Sequence, residues 1–333
     1  MFFRRMIIVC FALSVMLASC SEGQTQMAPT QNNNNKDLTH IRLILGNAPN
    51  LRYVPFYVAD HHDFYREIGI EIEFDYTFEA GGTTLVASDE LQFALASGEQ
   101  VLLARAGGFP VVSVMSWYRD YPIAVVAKPD QGIQSPRDLA GKRVGIPDLF
   151  GAGYVGLRAL LNAGNLSESD IILESIGFNQ VEALASDQVD AVVVYLNDEP
   201  IRLQEQGYNL DIIRVADYVQ LVSNVLIANE TTISANPDLV QRMVQATLRG
   251  IKFSATHPDE AYEISENYVE GLVSVGEVIR AATVERYTTL YQTDPLGYSD
   301  PAAWENTQNI LLDMGLLTEP IDLSAAFTND FIE

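Results

Sequence analysis

The sequence predicts an α/β protein built from two lobes, and three features lead to this prediction. Short apolar runs alternate with amphipathic stretches, as expected where helices pack on a sheet. The body of the chain that follows the N-terminal region has roughly 295 residues, which is long for a single hydrophobic core. A turn-rich passage at 128–147, KPDQGIQSPRDLAGKRVGIP, follows an apolar strand and marks the place where a second lobe can begin.

The first segment of the chain is typical of an export signal. Arg4 and Arg5 precede an apolar run at 6–16, which is too short to span a membrane, and Leu-Ala-Ser-Cys follows at 17–20. This spacing predicts a signal peptide at 1–19 and a lipoprotein carrying palmitate on Cys20. The alternative is an ordinary cleaved signal in which Cys20 has no role. Residues 20–37 are rich in Gln, Asn and Thr, which predicts a lipidated, disordered linker on the outer face of the cell membrane.

The strands and helices of the body follow from hydrophobic periodicity. The apolar or alternating runs predict strands at 41–45, 70–76, 91–95, 111–115, 123–127, 144–146, 171–176, 191–195 and 222–228. Amphipathic stretches predict helices at 56–66, 238–254 and 258–268. Ser135 is placed to cap a helix, and the glycines at 151 and 153 open another.

The turn-rich passage defines the expected lobes. Lobe 1 is predicted to comprise residues 38–125 and 222–333, and lobe 2 is predicted to be an insertion at 126–221. Two chain crossings would then join the lobes, and such a two-strand hinge permits closure around a ligand.

Composition excludes several classes of function. The 20 basic and 44 acidic residues give a net charge of −24, so nucleic acid is not an expected partner. Cys10 and Cys20 are the only cysteines, and both lie in the export segment, so no disulfide and no cysteine-based metal site is expected in the body. His61 and His62 are adjacent on a predicted helix and cannot both face inward, so no metal site is predicted.

Three stretches of the chain resemble a known family. Residues 47–69 read NAPNLRYVPFYVADHHDFYREIG and are followed by IEIEF, residues 139–145 read L-x-G-K-x-V-G, and residues 187–195 read DQVDAVVVY. Together they resemble the type II solute-binding proteins of ABC importers, in the branch related to the fungal thiamine-pyrimidine synthase. The resemblance covers nearly the whole body and implies a two-lobe periplasmic-binding-protein fold with a two-strand hinge. It also implies an extracytoplasmic ligand collector, expected to be a monomer, that delivers its ligand to ABC permease and ATPase subunits.

The residues expected at the cleft lie at junctions between strands and helices. The aromatic candidates are Tyr53, Trp117, Tyr118, Phe150, Tyr154 and Tyr195. The polar candidates for orienting a ligand are Asn50, Glu79, Ser97, Gln100, Asn179, Asn197 and Glu199. Gly151 is added because backbone amides at a helix start can meet a ligand oxygen, although plain helix geometry also explains it. A flat heterocycle stacks well on such rings, and Trp117 is the strongest candidate because it directly follows an apolar strand.

The ligand is inferred from departures from the family pattern. Members that bind the thiamine pyrimidine often carry D-W-x-P-N after the first strand, whereas residues 46–50 of this chain read GNAPN. Many tyrosines and no evident cationic anchor favour a neutral, polyhydroxylated aromatic, and the resemblance extends to riboflavin collectors of this branch. Riboflavin is therefore favoured. A hydroxymethylpyrimidine-type thiamine precursor is an alternative, as is a small sulfonate or other anion that would meet Arg119 or Arg158.

An enzyme is the alternative class. The fungal relative makes the pyrimidine by consuming its own histidine and bound pyridoxal phosphate with iron, and this chain lacks a matching cysteine cluster. No G-x-S-x-G element or histidine-paired nucleophile stands out either. We therefore expect a transport protein with no catalytic residues and no cofactor.

Overall fold

The structure is a computed structural model that describes residues 38–46, 48–77, 79–270 and 295–332. The predicted signal peptide, the predicted linker and Cys20 lie outside the described residues. Residues 37–333 form one compact unit by their internal contacts, and this unit contains the whole described body.

The first of two sheets lies in the order β2-β1-β3-β10-β4. Its strands are β1 (Thr39–Ile44), β2 (Ile70–Asp75), β3 (Phe93–Ser97), β4 (Val111–Ser116) and β10 (Asn224–Asn229). Strand β1 runs parallel to β2 and β3, whereas β10 runs antiparallel to both β3 and β4. Strand β10 is buried along its whole length because both of its neighbours and the helices on both faces cover it.

The second sheet repeats this arrangement in the order β7-β6-β8-β5-β9. Its strands are β5 (Ile123–Ala127), β6 (Arg143–Ile146), β7 (Ile172–Ser175), β8 (Ala191–Tyr195) and β9 (Asp211–Arg214). Here β5 is the strand that runs antiparallel to its neighbours, β8 and β9. Each sheet therefore receives its antiparallel strand from a crossing of the chain between the sheets.

Helices cover both sheets. Numbered along the described residues, they are α1 (Val54–His61), α2 (Phe64–Glu67), α3 (Glu79–Ala87), α4 (Gly98–Ala106), α5 (Gly151–Ala163), α6 (Gln180–Ala185), α7 (Glu199–Glu205), α8 (Glu230–Ala235), α9 (Pro237–Thr256), α10 (Pro258–Ser265) and α11 (Pro301–Asp313). Among the residues that the structure describes, no helix is both long and apolar enough to cross a membrane.

Most predicted elements are present, and the α/β class with two crossings between sheets is confirmed. The helix predicted at 56–66 is wrong in one respect, because Asp63 adopts a left-handed backbone with φ 56° and divides it into α1 and α2. Ser135 does cap a helix, as predicted, although the helix is a short 3-10 turn at Pro136–Leu139 closed by a reciprocal bond with Asp138. Strand β9 and helices α3, α4, α6, α7, α8 and α11 were not predicted.

Two segments connect the sheets, one before β5 and one before β10. The Ser223 hydroxyl donates to the Tyr118 carbonyl at 2.8 Å, and the Trp117 amide donates to the Asn224 carbonyl at 2.8 Å, so the segments lie side by side. Strand β5 pairs with β8 and β9, both of the second sheet. A lobe boundary between residues 125 and 126 would therefore fall inside a strand.

Candidate functional site

A cavity of about 180 Å³ lies between the two sheets, at the ends of several strands. Gly46 follows β1, Trp117 follows β4 and Pro147 follows β6, while Tyr195 ends β8. Ligands of open α/β sheets bind at the carboxyl ends of strands, where loops from several strands meet. The lining side chains are mainly apolar and aromatic, with a few polar groups, which is the composition of a small-molecule site.

The first wall of the cavity is a stack of aromatic rings, defined here as Tyr53, Trp117 and Tyr118. The Trp117 ring lies 4.3 Å from Tyr118 and 5.7 Å from Tyr53 between centroids, near parallel to both, and Phe56 meets it edge-on at 5.1 Å. Trp117 is 3% exposed, so the protein itself holds this wall in place. Its buried Nε1 has no hydrogen-bond partner among the described residues.

Gly46 fits closely against this wall. Its backbone has φ +144°, and a Cβ at this position would come within 2.2 Å of the Tyr53 hydroxyl. Glycine is therefore required both by the backbone conformation and by the approach of the tyrosine ring.

The second wall, defined as Phe150, Gly151 and Phe178, is open. Phe150 is 67% exposed and Phe178 is 61% exposed, although both line the cavity. Gly151 begins α5 with φ +74°, so the amides of the first turn lie at the cavity wall. Large exposed rings at a cavity mouth gain burial when a flat ligand covers them.

Polar contacts join the two sides of the cavity at one carboxylate. The Asp198 Oδ2 atom accepts a hydrogen bond from Asn50 Nδ2 at 2.9 Å and one from Arg52 Nη2 at 3.2 Å. The Arg52 guanidinium also lies 4.7 Å from the centre of the Tyr195 ring, a cation-π contact. Since Asn50 and Arg52 follow β1 whereas Asp198 and Tyr195 follow or end β8, these contacts join the two halves of the protein.

Buried carboxyl groups surround the inner part of the cavity. Glu79 begins α3, lines the cavity and accepts hydrogen bonds from the Ser97 amide and hydroxyl, both at 2.5 Å. Glu199 accepts from the Tyr195 amide at 2.9 Å and from Gln180 Nε2 at 3.2 Å. Burial, followed by the nearby charge of Asp198, raises the pKa of Glu199 to about 7.

Half of the predicted site residues line the cavity. They are Tyr53, Glu79, Trp117, Tyr118, Phe150, Gly151 and Tyr195.

Four more predicted residues stand one layer behind the cavity wall. Asn50 and Glu199 make the contacts described above, and Ser97 lies behind Glu79. Asn197 donates from Nδ2 to the Tyr118 hydroxyl at 3.0 Å, which supports the first wall.

The other three lie elsewhere. Tyr154 faces away from the cavity, because its hydroxyl donates to Glu168 at 2.6 Å. Asn179 is exposed and donates to the Ile176 carbonyl at 3.0 Å, and Gln100 lies half-buried on α4.

Several lining residues were not predicted. They include Arg52, Asp148, Phe178, Gln180 and Asn224. Arg52 stands in the same loop as Asn50 and Tyr53, so its position after the first strand was the available signal. Asn224 was assigned to a buried strand, and a polar residue inside that strand was the available signal. In the structure Asn224 is buried and its Oδ1 has no partner among the described residues.

The expectation that the site lacks a cationic group is wrong, because Arg52 lines the cavity. Its charge is offset by Asp198, with which it forms an ion pair of half-buried side chains. Arg119 and Arg158, the two cations proposed for an anion, are not among the lining residues; Arg119 pairs with Asp120 at 3.4 Å and Arg158 with Glu168 at 3.6 Å. Within the described ranges, no three His, Cys, Asp or Glu side chains converge to hold a metal ion.

A model of a known protein family matches this chain. The model described as NMT1/THI5 like matches residues 50–261, which carry most of both sheets and the cavity. This chain belongs to that family.

Several characterised relatives of this NMT1/THI5-like chain are similar over most of its length. The riboflavin-binding protein RibY of Chloroflexus aurantiacus is 35% identical over 89% of this chain and 86% of its own. The formylaminopyrimidine-binding protein of Halalkalibacterium halodurans is 27% identical over 97% and 98%. The 4-amino-5-hydroxymethyl-2-methylpyrimidine phosphate synthase of Legionella pneumophila is 24% identical over 88% and 92%. These relatives therefore include both binding proteins and a synthase.

Solved structures identify the fold. The aliphatic sulphonate-binding protein SsuA of Escherichia coli matches 87% of this chain and 92% of its own with a TM-score of 0.71 at 14% identity. SsuA of Xanthomonas axonopodis, solved with MOPS, matches 88% and 99% with a TM-score of 0.69 at 16% identity. The predicted periplasmic-binding-protein fold is thus confirmed.

Proposed function

We propose that this protein is the extracytoplasmic solute-binding component of an ABC importer and that it binds a flat heterocyclic vitamin, with riboflavin favoured. The observation that carries the proposal is the pair of unlike aromatic walls, one buried and one exposed, that face a single cavity between two sheets. The similarity to riboflavin-binding RibY over most of both chains supports the same ligand.

The charges around the cavity favour a neutral ligand over an anion. Arg52 is the one basic side chain that lines the cavity in the described part of the chain, and Asp198 already neutralises it. Glu79 and Asp148 add acidic groups to the cavity lining. A sulfonate would have to displace Asp198 from Arg52 and approach these carboxylates, which opposes binding.

A smaller pyrimidine remains the second candidate ligand, supported by the relative that binds formylaminopyrimidine. The two walls discriminate between the candidates, since a single small ring can lie against the first wall without covering both Phe150 and Phe178. A fused ring system covers more aromatic surface and gains more from two exposed rings.

Binding rather than catalysis is the activity we propose, although synthases are relatives at 22–24% identity. Polar groups near the cavity form hydrogen bonds with each other that fix the positions of the lining residues, as Asn197 does when it donates to the Tyr118 hydroxyl. Among the hydrogen bonds of the described residues, one joins a hydroxyl to a histidine ring. It lies between Thr256 and the neighbouring His257, is exposed, and involves no residue that lines the cavity.

The two sheets act as two lobes in this proposal. We take the crossings before β5 and β10 as the hinge and residues 123–221 as the second lobe, so that all of β5 belongs to it. Asn50, Arg52 and Asp198 join the lobes when they are closed. An ordered closure around the ligand would present a single shape to a permease.

We also propose that the mature protein is a monomer and that a lipid on Cys20 holds it at the membrane; the signal-like segment at 1–20 supports the lipid anchor. We expect Cys20→Ala to release the protein from membranes while riboflavin affinity stays unchanged, measured by fractionation and by fluorescence quenching. A released protein that no longer bound the ligand would contradict the separation of anchor and binding body.

The direct test of the function is to purify the protein and record the absorption spectrum and mass of anything released by denaturation. If the site is empty, a thermal-shift panel of riboflavin, hydroxymethylpyrimidine, taurine and nitrate follows. A ligand at about 100 times its Kd should stabilise the folded protein by roughly 2.7 kcal/mol. We expect riboflavin to give the largest shift; stabilisation by taurine or nitrate alone would overturn the proposal of a neutral heterocycle.

A further inference from the structure

Two glutamates meet at one serine beside the cavity, and one of them, Glu79, lines it. Ser97 ends β3, Glu79 begins α3 and Glu99 lies in the first turn of α4. The Ser97 hydroxyl lies 2.5 Å from Glu79 Oε1 and makes a second short contact with Glu99 Oε1. The Ser97 amide also donates to Glu79 Oε1, at 2.5 Å.

Counting hydrogens shows that this cluster holds an extra proton. A serine hydroxyl has one hydrogen and can donate to only one of the two carboxyl oxygens. If both glutamates were ionised, the other contact would bring two oxygen lone pairs together in a buried site, which is strongly unfavourable. One of the two carboxyls must therefore be protonated and donate to the serine oxygen.

The hydrogen-bond pattern assigns this proton to Glu99. Glu79 Oε1 already accepts the Ser97 amide, which is the pattern of an ionised carboxylate. Glu99 is 1% exposed, and its Oε2 atom has no partner among the described residues. A buried carboxylate without partners on one oxygen is costly, whereas a neutral carboxylic acid is tolerated there.

We propose that Glu99 is a buried neutral acid that donates to Ser97, and that Ser97 in turn fixes Glu79 as the ionised hydrogen-bond acceptor of the cavity. Glu99 is a positioning residue in this scheme, since it does not line the cavity. The ligand class selected is one with an N–H or O–H donor at the edge that meets Glu79. This inference rests on the proposed binding function and specifies which hydrogen-bond donor of the ligand the site recognises.

The neighbouring groups fit this charge assignment. Arg52 and Tyr53 approach Glu79 from the loop after β1, Tyr121 approaches from the segment before β5, and Tyr195 approaches from the end of β8. Burial is the largest influence on Glu79 and raises its pKa, while the two Ser97 hydrogen bonds and the charge of Arg52 oppose it and favour the ionised form. The tyrosines stay neutral, because burial raises the pKa of each.

The pKa of Glu99 agrees with the geometric assignment. Burial, followed by the negative charge of Glu79, raises the pKa of Glu99 to about 8. Glu99 therefore keeps its proton at neutral pH. Above that range its ionisation removes the donor to Ser97 and adds a second negative charge beside Glu79.

Infrared spectroscopy tests the proton without any ligand. The difference between spectra of the purified protein at about pH 7 and about pH 9 should contain the C=O stretch of a carboxylic acid that Glu99→Gln removes. Glutamine is the matched substitute because its side-chain amide can donate to Ser97 as the neutral acid does. Glu199→Gln is the control, since Glu199 is a second buried carboxyl with a raised pKa and should remove a different part of the signal. An acid band that survives in Glu99→Gln would overturn the assignment.

Riboflavin binding tests the consequence for the cavity. If only the neutral form of Glu99 supports binding, affinity should fall about tenfold between about pH 7 and about pH 9, and Glu99→Gln should abolish this dependence. Glu79→Gln should weaken binding at every pH. Affinity that is independent of pH in a wild type that shows the acid band would overturn the link to the ligand. Failure of the wild type to bind riboflavin would instead contradict the proposed ligand, and the infrared result would still decide the proton.

Discussion

The two walls of the cavity differ in how much of their structure exists before a ligand arrives. On the first wall, Trp117 is 3% exposed and stacks between Tyr53 and Tyr118. On the second, Phe150 and Phe178 are more than half exposed. The first wall is part of the hydrophobic core that includes Phe56, whereas the second wall belongs to loops beside the core of the second sheet.

This difference means that the walls contribute to binding in different ways. The first wall is held by contacts that also stabilise the fold, so a ligand finds it preorganised and little ordering entropy is lost there. The second wall buries its rings only when a ligand or the opposite side of the cleft covers them. Changes to the first wall should therefore affect stability and affinity together, and changes to the second should affect affinity alone.

Trp117→Ala should have the largest effect. Removal of the ring leaves a cavity between Tyr53, Tyr118 and Phe56, and such Trp→Ala changes in cores cost about 3–5 kcal/mol of folding free energy. Riboflavin affinity should also fall, by roughly 1–3 kcal/mol. Urea unfolding and fluorescence quenching measure the two effects.

Trp304 supplies a matched control for this prediction. It is the other tryptophan of the chain, is fully buried and stacks on Phe327 at 5.0 Å, but does not line the cavity between the sheets. Trp304→Phe should cost stability and leave affinity unchanged, whereas Trp117→Phe should reduce both. Equal losses of affinity in the two variants would show that affinity follows stability and not ring contact.

The two buried carboxyls with raised pKa, Glu99 and Glu199, should make the free energy of unfolding depend on pH. Glu99 lies behind Glu79 and Ser97, and because its pKa is raised to about 8, the folded state holds a proton that the unfolded state releases above its lower pKa. Stability is therefore highest at low pH for this group and falls as pH rises from roughly 5 to 9, by on the order of a few kcal/mol. Glu199, with a pKa raised to about 7, acts in the same direction over a narrower range.

Urea midpoints measured across this pH range check the prediction. Glu99→Gln should flatten the profile more than Glu199→Gln does, because its pKa is raised further. A wild-type profile that rises steadily from pH 5 to 9 would contradict both assignments, since carboxyls whose pKa is lowered by folding change the stability only below about pH 5 and cannot hide the expected fall.

Sequence reasoning found the first wall more completely than the second. Trp117 and Tyr118 directly follow an apolar strand, so their place at a strand end is local information that periodicity provides. Phe178 lies between a short, half-exposed strand and a six-residue helix, where no pattern indicated a cavity. Arg52 was missed because its role depends on Asp198, which is 146 residues away and meets it only in the folded protein.

Asp198→Asn should have an intermediate effect, on the contact that joins the two halves. The substitution removes the charge that pairs with Arg52 while keeping an oxygen that Asn50 can reach. The loss should be about 1 kcal/mol of the closed form, since the pair is half-buried. Small-angle scattering should show a larger mean radius without ligand.

The control for that change is Asp187→Asn. Asp187 also pairs with a cation, Lys128, but both residues belong to the second-sheet half of the chain. Its loss should leave the radius unchanged. If both variants, or neither, expand the protein, then the Asp198 contact does not hold the halves together.

Phe150→Ala and Phe178→Ala should have the smallest effects and are the sharpest test of the contrast between the walls. Their rings are exposed without ligand, so each change should alter stability by no more than about 0.5 kcal/mol. Each should nevertheless weaken riboflavin binding by about 0.5–1.5 kcal/mol through lost stacking.

Phe109→Ala is the matched control, because Phe109 is similarly exposed at 53% and does not line the cavity. Losses of stability comparable to those of Trp117→Ala would mean that the second wall is also part of the core, and unchanged affinity in both variants would mean that the ligand stacks on the first wall alone.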